Sequence, residues 1–186
     1  MQRTRLTAAC VVGGLAAVSA LAGWNDTRRG PDKDAGVFTP YVQWTGARSE
    51  RAKEGFVVVR DEKEWRALWA EHTGVPAGEG SMERNLVPQV NFDRCVVLAY
   101  FRGETTNEDG EVVREVRETP EGLRVRFSSD TFQTFGPDGG AQKTRPFGIW
   151  VLPRGREGRA AIVVEEGRQS LKAEAPTWTE VWRTEK

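Results

Sequence analysis

Residues Cys95–Phe101, Cys-Val-Val-Leu-Ala-Tyr-Phe, carry no charge and stand between Asp93-Arg94 on one side and Arg102-Gly103 on the other. Seven residues are too few to cross a bilayer, which takes about 20 in a helix. A strand with one wet face alternates apolar and polar side chains; a strand covered on both faces does not. The Val, Tyr and Phe content therefore predicts a central strand buried on both sides, and the rest of the chain has to supply its cover. A second nearly continuous apolar run, Phe147–Leu152, is closed by Pro153.

The cover is legible in order. Val37 to Thr45 turns to Val, Phe, Tyr and Trp and predicts a first strand, at a sheet edge because Pro40 lies within it. Phe56–Val59 is a short β-branched strand. Asp61 and Glu64 then have the spacing of a capping box, and Trp65, Leu68, Trp69 and His72 recur at three and four residues, so they share one helix face. Gly74 and Pro76 end this helix, which spans about residues 61–73. Residues 75–87 read as a long loop and a candidate rim for a binding surface.

After the central strand, Gly103 to Gly110 is an acidic turn ending in Asp-Gly, which predicts a hairpin. Glu111–Glu118 reads as a half-exposed strand. Leu123, Val125 and Phe127 alternate with Arg124 and Arg126, the pattern of a strand with one buried face. Asp130–Phe135 reads as a further strand or an aromatic loop, 136–140 as a turn, Ala161–Val164 as a strand and Thr177–Thr184 as a terminal strand or short helix. Seven to nine short strands and one helix, with nothing helical between strands after residue 90, predict an α+β domain. It is mainly antiparallel β-sheet, a sandwich or a curved sheet, with the helix packed on it.

The first 22 residues read as a cleaved secretory signal peptide. Arg3 and Arg5 give the positive start, Val11 to Leu21 the apolar stretch and Ala20-Leu21-Ala22 the cleavage site. Residues 23–36 follow as a flexible N-terminal arm, and 37–186 as a single β-rich domain. The full chain of 186 residues balances 27 basic against 27 acidic side chains; removal of Arg3 and Arg5 leaves a formal charge of −2. No field of one sign points to nucleic acid. Cleavage also removes Cys10, so Cys95 has no disulfide partner and reads as a small buried hydrophobe.

The sets that carry common chemistries are missing. His72 is the only histidine and there is no G-x-S-x-G motif, which argues against a serine hydrolase, and a thiol enzyme would need His72 and Cys95 to leave apolar settings. A zinc site would have one histidine and one cysteine to draw on. Two readings stay open beside a binding role. Glu104, Asn107, Glu108, Asp109 and Glu111 crowd oxygen donors that calcium accepts, without the spacing of an EF-hand. A glycosidase needs two carboxylates at a set distance, and nothing selects a pair among the 27 acids. Arg114, Arg117, Arg124 and Arg126 interleave with Glu111, Glu115, Glu118 and Glu121, which predicts cross-strand ion pairs on a solvated face.

A few short, packing-driven motifs follow one another along the chain. Phe56-Val57-Val58-Val59 leads into Asp61-Glu62-Lys63-Glu64-Trp65-Arg66-Ala67-Leu68-Trp69, and Asn91-Phe92-Asp93 leads into the apolar strand that ends at Gly103. Thr144-Arg145-Pro146 precedes a strand ending in Val151-Leu152-Pro153. This layout resembles the C-terminal domain of the PrcB family, secreted accessory subunits of a surface protease complex, over about residues 55–165. The chain departs from that family's Gly-Gly-aromatic step after the central strand, where it has Glu104-Thr105-Thr106-Asn107. The resemblance implies an exported, non-catalytic domain that binds another protein.

The functional expectation is a non-enzymatic accessory or protein-binding domain, periplasmic or extracellular, whose partner is another exported or envelope protein. It needs no cofactor or metal, and has no nucleic-acid partner and no stable membrane span after signal cleavage. The alternatives are a carboxylate-dependent hydrolase of envelope glycans and a calcium-stabilised module using the 104–111 turn. Of the seven Trp, those near the ends of the chain, Trp24, Trp44, Trp178 and Trp182, are the candidates for a binding surface, with Trp44, Trp178 and Trp182 foremost.

Overall fold

The structure, a computed structural model, describes residues 36–75, 87–134, 140–154, 161–168 and 175–184. The signal segment, the arm up to residue 35, most of the 75–87 loop and the turn at 135–139 lie outside the described residues. In chain order the elements are β1 (Val37–Phe38), β2 (Val42–Gly46), β3 (Gly55–Val59), α1 (Glu62–Thr73), β4 (Cys95–Phe101) and β5 (Thr105–Thr106). There follow β6 (Glu108–Thr119), β7 (Gly122–Thr131), β8 (Lys143–Thr144), β9 (Phe147–Pro153), β10 (Ala161–Arg168) and β11 (Thr177–Arg183).

The two apolar runs find each other. β4 and β9 pair antiparallel, Val97 opposite Val151 and Leu98 opposite Trp150, at the centre of a four-stranded sheet ordered β2-β9-β4-β3. Side chains alternate across a strand, so β4 serves two cores. Val96 and Leu98 point to one side, where Trp150 and Leu152 of β9 join them. Cys95, Val97, Ala99 and Phe101 point to the other, with Phe147, Ile149 and Val151, and meet Trp65 and Leu68 of the helix. The expectation of a central strand covered on both faces is met.

Helix α1 is held as its sequence prescribes. Asp61 accepts a hydrogen bond from the Glu64 amide at 2.8 Å and Gly74 closes the helix in the left-handed region at φ 71°. The Glu64 carboxylate returns to the Arg60 amide, one residue earlier than in the standard box. Trp65 buries its ring and donates its indole N–H to the Pro88 carbonyl at 2.7 Å, so the largest side chain on the stripe leaves no polar atom stranded.

The third layer is a five-stranded sheet ordered β1-β6-β7-β10-β11. Its inner face carries Val113, Val116, Leu123, Val125, Phe127, Ile162 and Val164 against Val96, Leu98, Trp150 and Leu152. Helix, sheet and sheet thus enclose two cores, the layered α+β arrangement with one helix on predominantly antiparallel sheet. β7 and β10 are parallel, Leu123 opposite Ile162 and Val125 opposite Val164. The connection between them leaves the sheet, forms β8 and β9, and returns, and among its described residues there is no helix.

Two local expectations change. Pro40 does more than mark an edge: the chain breaks there, β1 pairing with β6 in one sheet and β2 with β9 in the other. The 103–110 stretch does not close a hairpin. β4 and β6 lie in different sheets, Thr105 pairs with Thr144 in a separate two-stranded ladder, and Asp109-Gly110 belongs to β6. Gly110 sits at φ 139° beside an irregularity in the β6–β7 register, and a Cβ there would meet the Gly46 amide nitrogen at 2.6 Å. An Asp-Gly pair serves a bulge as well as a turn, because both need a residue free of the Cβ restriction. The described residues all fall within one compact unit, Asp34–Lys186, and no helix among them is long and apolar enough to cross a membrane.

Candidate functional site

The inner column of β4 turns polar after Leu98: Tyr100 is half-buried and Arg102 follows on the same side. The neighbouring columns turn polar at the same level. Val113 gives way to Glu111 on β6, Phe127 to Ser129 on β7 and Val164 to Glu166 on β10. Arg102 gathers them. Its guanidinium donates to Glu111 at 2.5 Å, to Glu166 at 2.6 Å and to Ser129 at 2.7 Å, and lies 3.1 Å from Glu108. Ser129 in turn donates to Glu111 at 2.9 Å. The Tyr100 ring lies beside the guanidinium, 5.5 Å from ring centre to central carbon.

Glu111 is 0 % exposed. Burial pushes its carboxyl above the ordinary carboxylate range, while the bonds and charge of Arg102 and the Ser129 hydroxyl pull it back. Burial alone would lower Arg102, but the bonds to Glu111 and Glu166 and the Glu111 charge outweigh it and hold the guanidinium above its usual value. The expected placing of Glu111 among exposed cross-strand pairs is therefore overturned. On the outer face cross-strand pairing does hold elsewhere: Arg126 bonds Glu165 at 2.7 Å and lies 3.6 Å from Glu115, and Arg114 bonds Asp130, while Arg117 turns to Glu115 of its own strand.

Ser129 also reaches the wall of a groove of about 800 Å³ formed with Asp109, Arg114, Ser128, Asp130, Thr131, Gly167, Pro176 and Trp178. Trp178 stands opposite Gly167 in the β10–β11 ladder, and a Cβ on Gly167 would meet its ring at 2.6 Å. The Arg126 guanidinium carbon lies 5.2 Å from the Trp178 ring centre. The indole is thus seated on bare backbone beside a cation, an arrangement that suits its negative π-face.

The other two Trp candidates lie elsewhere. Trp44 is half-buried on the helix side, 5.8 Å from Trp65 and 5.5 Å from Trp69 between ring centres. Trp182 packs against the inter-sheet core and stacks on Phe56 at 5.2 Å. Trp24 lies outside the described residues. Of the three foremost candidates the groove contains Trp178.

The residues weighed for other chemistry are occupied. His72 sits 4.2 Å from the Phe147 ring, its Nδ1 is 3.0 Å from the Ser49 hydroxyl, and burial lowers its pKa to about 4. Ser49 also accepts the Arg51 amide at 3.2 Å, so its hydroxyl ties the ring to the β2–β3 connector. Cys95 is buried and free, its thiol pushed up by burial against the pull of Arg94. In the 104–111 stretch Glu104 binds Lys143 at 2.7 Å and Asn107 accepts the Gln142 amide at 2.8 Å. Glu108 and Glu111 face Arg102, so these donors diverge and do not surround one point. Among the described residues no group of three acids, histidines or cysteines is placed to hold a metal ion.

No family model, no curated protein and no solved structure matches the chain.

Proposed function

We propose that this chain is an exported, non-catalytic binding module, and that its partner is another envelope or extracellular protein held along the groove beside Trp178. The observation that carries the reading is Trp178 itself: a partly exposed indole seated over Gly167 and Arg126 at the wall of a cavity with charges of both signs. Trp and Arg dominate binding energies at interfaces. A ring already fixed by its neighbours loses little freedom on binding. Asp130 and Arg114 on one wall suit a polypeptide segment carrying both acidic and basic side chains.

The same residues speak against catalysis. A general acid or base must reach its substrate, and Glu111 is closed off while His72 is bound to Ser49 among aromatic rings. The resemblance to the PrcB family adds a specific candidate partner, a surface protease complex. The pattern of residues 1–22 supports export, with the mature chain beginning at Gly23.

Affinity purification of the secreted protein, run in parallel with a Trp178→Ala variant, tests this. The wild type is expected to bring down a defined envelope or extracellular protein, and the variant to lose it at an unchanged melting temperature. Equal recovery by the variant would remove the groove from the reading. Mass spectrometry of the exported protein is expected to find Gly23 at its start.

A further inference from the structure

A second cavity, of about 230 Å³, lies apart from the groove residues, between the β2–β3 connector and β8. Arg48, Ser49, Glu50, Glu104, Lys143, Thr144 and Arg145 line it. Two backbone ties shape it: Thr105 pairs with Thr144, and the Arg145 amide donates to the Ala47 carbonyl at 2.8 Å. They bring Arg48 and Arg145, distant in sequence, to one opening.

The charges around it are unequally satisfied. Lys143 takes Glu104 at 2.7 Å. Among the described residues, neither the Arg48 nor the Arg145 guanidinium has an ion pair or hydrogen bond, although Arg145 adds its field to that of Lys143 in lowering Glu104. Thr144 is 2 % exposed and its hydroxyl has no partner. That oxygen has almost no accessible surface, so it stands behind the cavity wall. Ser49 supports the wall and is not free to act as a ligand, since its oxygen already serves His72 and Arg51. Three cations against Glu50 and Glu104 leave one positive charge in excess.

We propose that this cavity binds a phosphate-type oxyanion, with Arg48 and Arg145 as the charged donors. A tetrahedral oxyanion accepts several hydrogen bonds at once and matches the guanidinium fork. The volume admits such a group with a few waters, each of which takes about 30 Å³. The oxyanion is either free or the terminal group of a larger molecule that stays outside.

Phosphate stabilises proteins generally by exclusion from their surface, so the test needs a site-specific readout. Phosphorus NMR line broadening of inorganic phosphate by the purified protein, at fixed ionic strength against chloride, supplies it. We expect saturable broadening, weakened about tenfold or more by Arg48→Gln with Arg145→Gln, which remove two charge-assisted bonds. Sulfate should displace the phosphate. Unsaturable broadening, or identical broadening by the double variant with its far-UV spectrum intact, overturns the proposal. A double variant that fails to fold shifts the decision to Arg48→Gln and Arg145→Gln taken singly and to sulfate competition, where no effect of any of them overturns it. Sedimentation with vesicles carrying a phosphomonoester headgroup separates the sources. Binding that the double variant loses marks a lipid-borne group, and phosphate binding without vesicle binding marks a free ion.

Discussion

Arg102 faces Glu108, Glu111 and Glu166 in a setting where only Ser129 adds a neutral partner. Removing one member of a buried ion cluster leaves the others with desolvated charge. Arg102→Met is therefore expected to destabilise the fold by about 3–5 kcal/mol, measured as a fall in the urea midpoint at unchanged slope. A loss within ~1 kcal/mol, the range of an exposed pair, would mean that solvent reaches the cluster freely. This residue also marks a boundary of what is readable. Parity along β4 places residue 102 with Val96 and Leu98, so its inward direction is available from the sequence. Its partners are not, because Glu108, Ser129 and Glu166 come from three strands of the opposite sheet.

Among the elements, α1 and β4 are local products: a cap, a stripe, a continuous apolar run. The β7–β10 pair is the opposite case. Two strands separated by β8 and β9 meet in parallel register, with Gly122 opposite Ala161 at its start. Gly122 has φ 142°, and a Cβ there would run into the Ala161 backbone. Gly122→Ala is expected to cost about 1–3 kcal/mol through backbone strain and to loosen this pairing first. Hydrogen exchange checks it: amides of β10 should lose protection before those of β4 and β9. Equal loss in all three would show that the pairing opens only with the whole fold. A sequence reading that looks for a helix between parallel strands misses this crossover, since a strand of the other sheet takes the helix's place.

At the scale of the molecule, two buried titratable groups pull stability in opposite directions with pH. The His72 pKa falls from 6.5 to about 4 on folding, so the unfolded chain binds the proton first. Its contribution is complete above about pH 6.5 and is lost as pH falls towards 4. At 1.36 kcal/mol per unit the shift corresponds to ~3 kcal/mol, nearer half of that once partial exposure of the ring is discounted. Glu111 is raised, so its effect runs the other way: it favours the fold below the ordinary carboxylate range and loses that favour as pH rises. The window of the histidine lies between about pH 6.5 and 4. Urea midpoints should fall over that window in the wild type and stay nearly level in His72→Gln, and parallel slopes would assign the pH dependence to other groups.

Local pattern was enough to establish most of the longer strands, the capped helix, the doubly buried β4 and the burial of Cys95. Those features depend on alternation, helical spacing and turn chemistry, all expressed within about ten residues. The division of the strands between two sheets, the break at Pro40 and the turning of Glu111 inward came from packing. So did the meeting of Arg102 with three carboxylates, and of Trp178 with Gly167 and Arg126. Each of these requires residues far apart in the chain to compete for the same partners, and that competition is decided by burial and charge in the assembled layers.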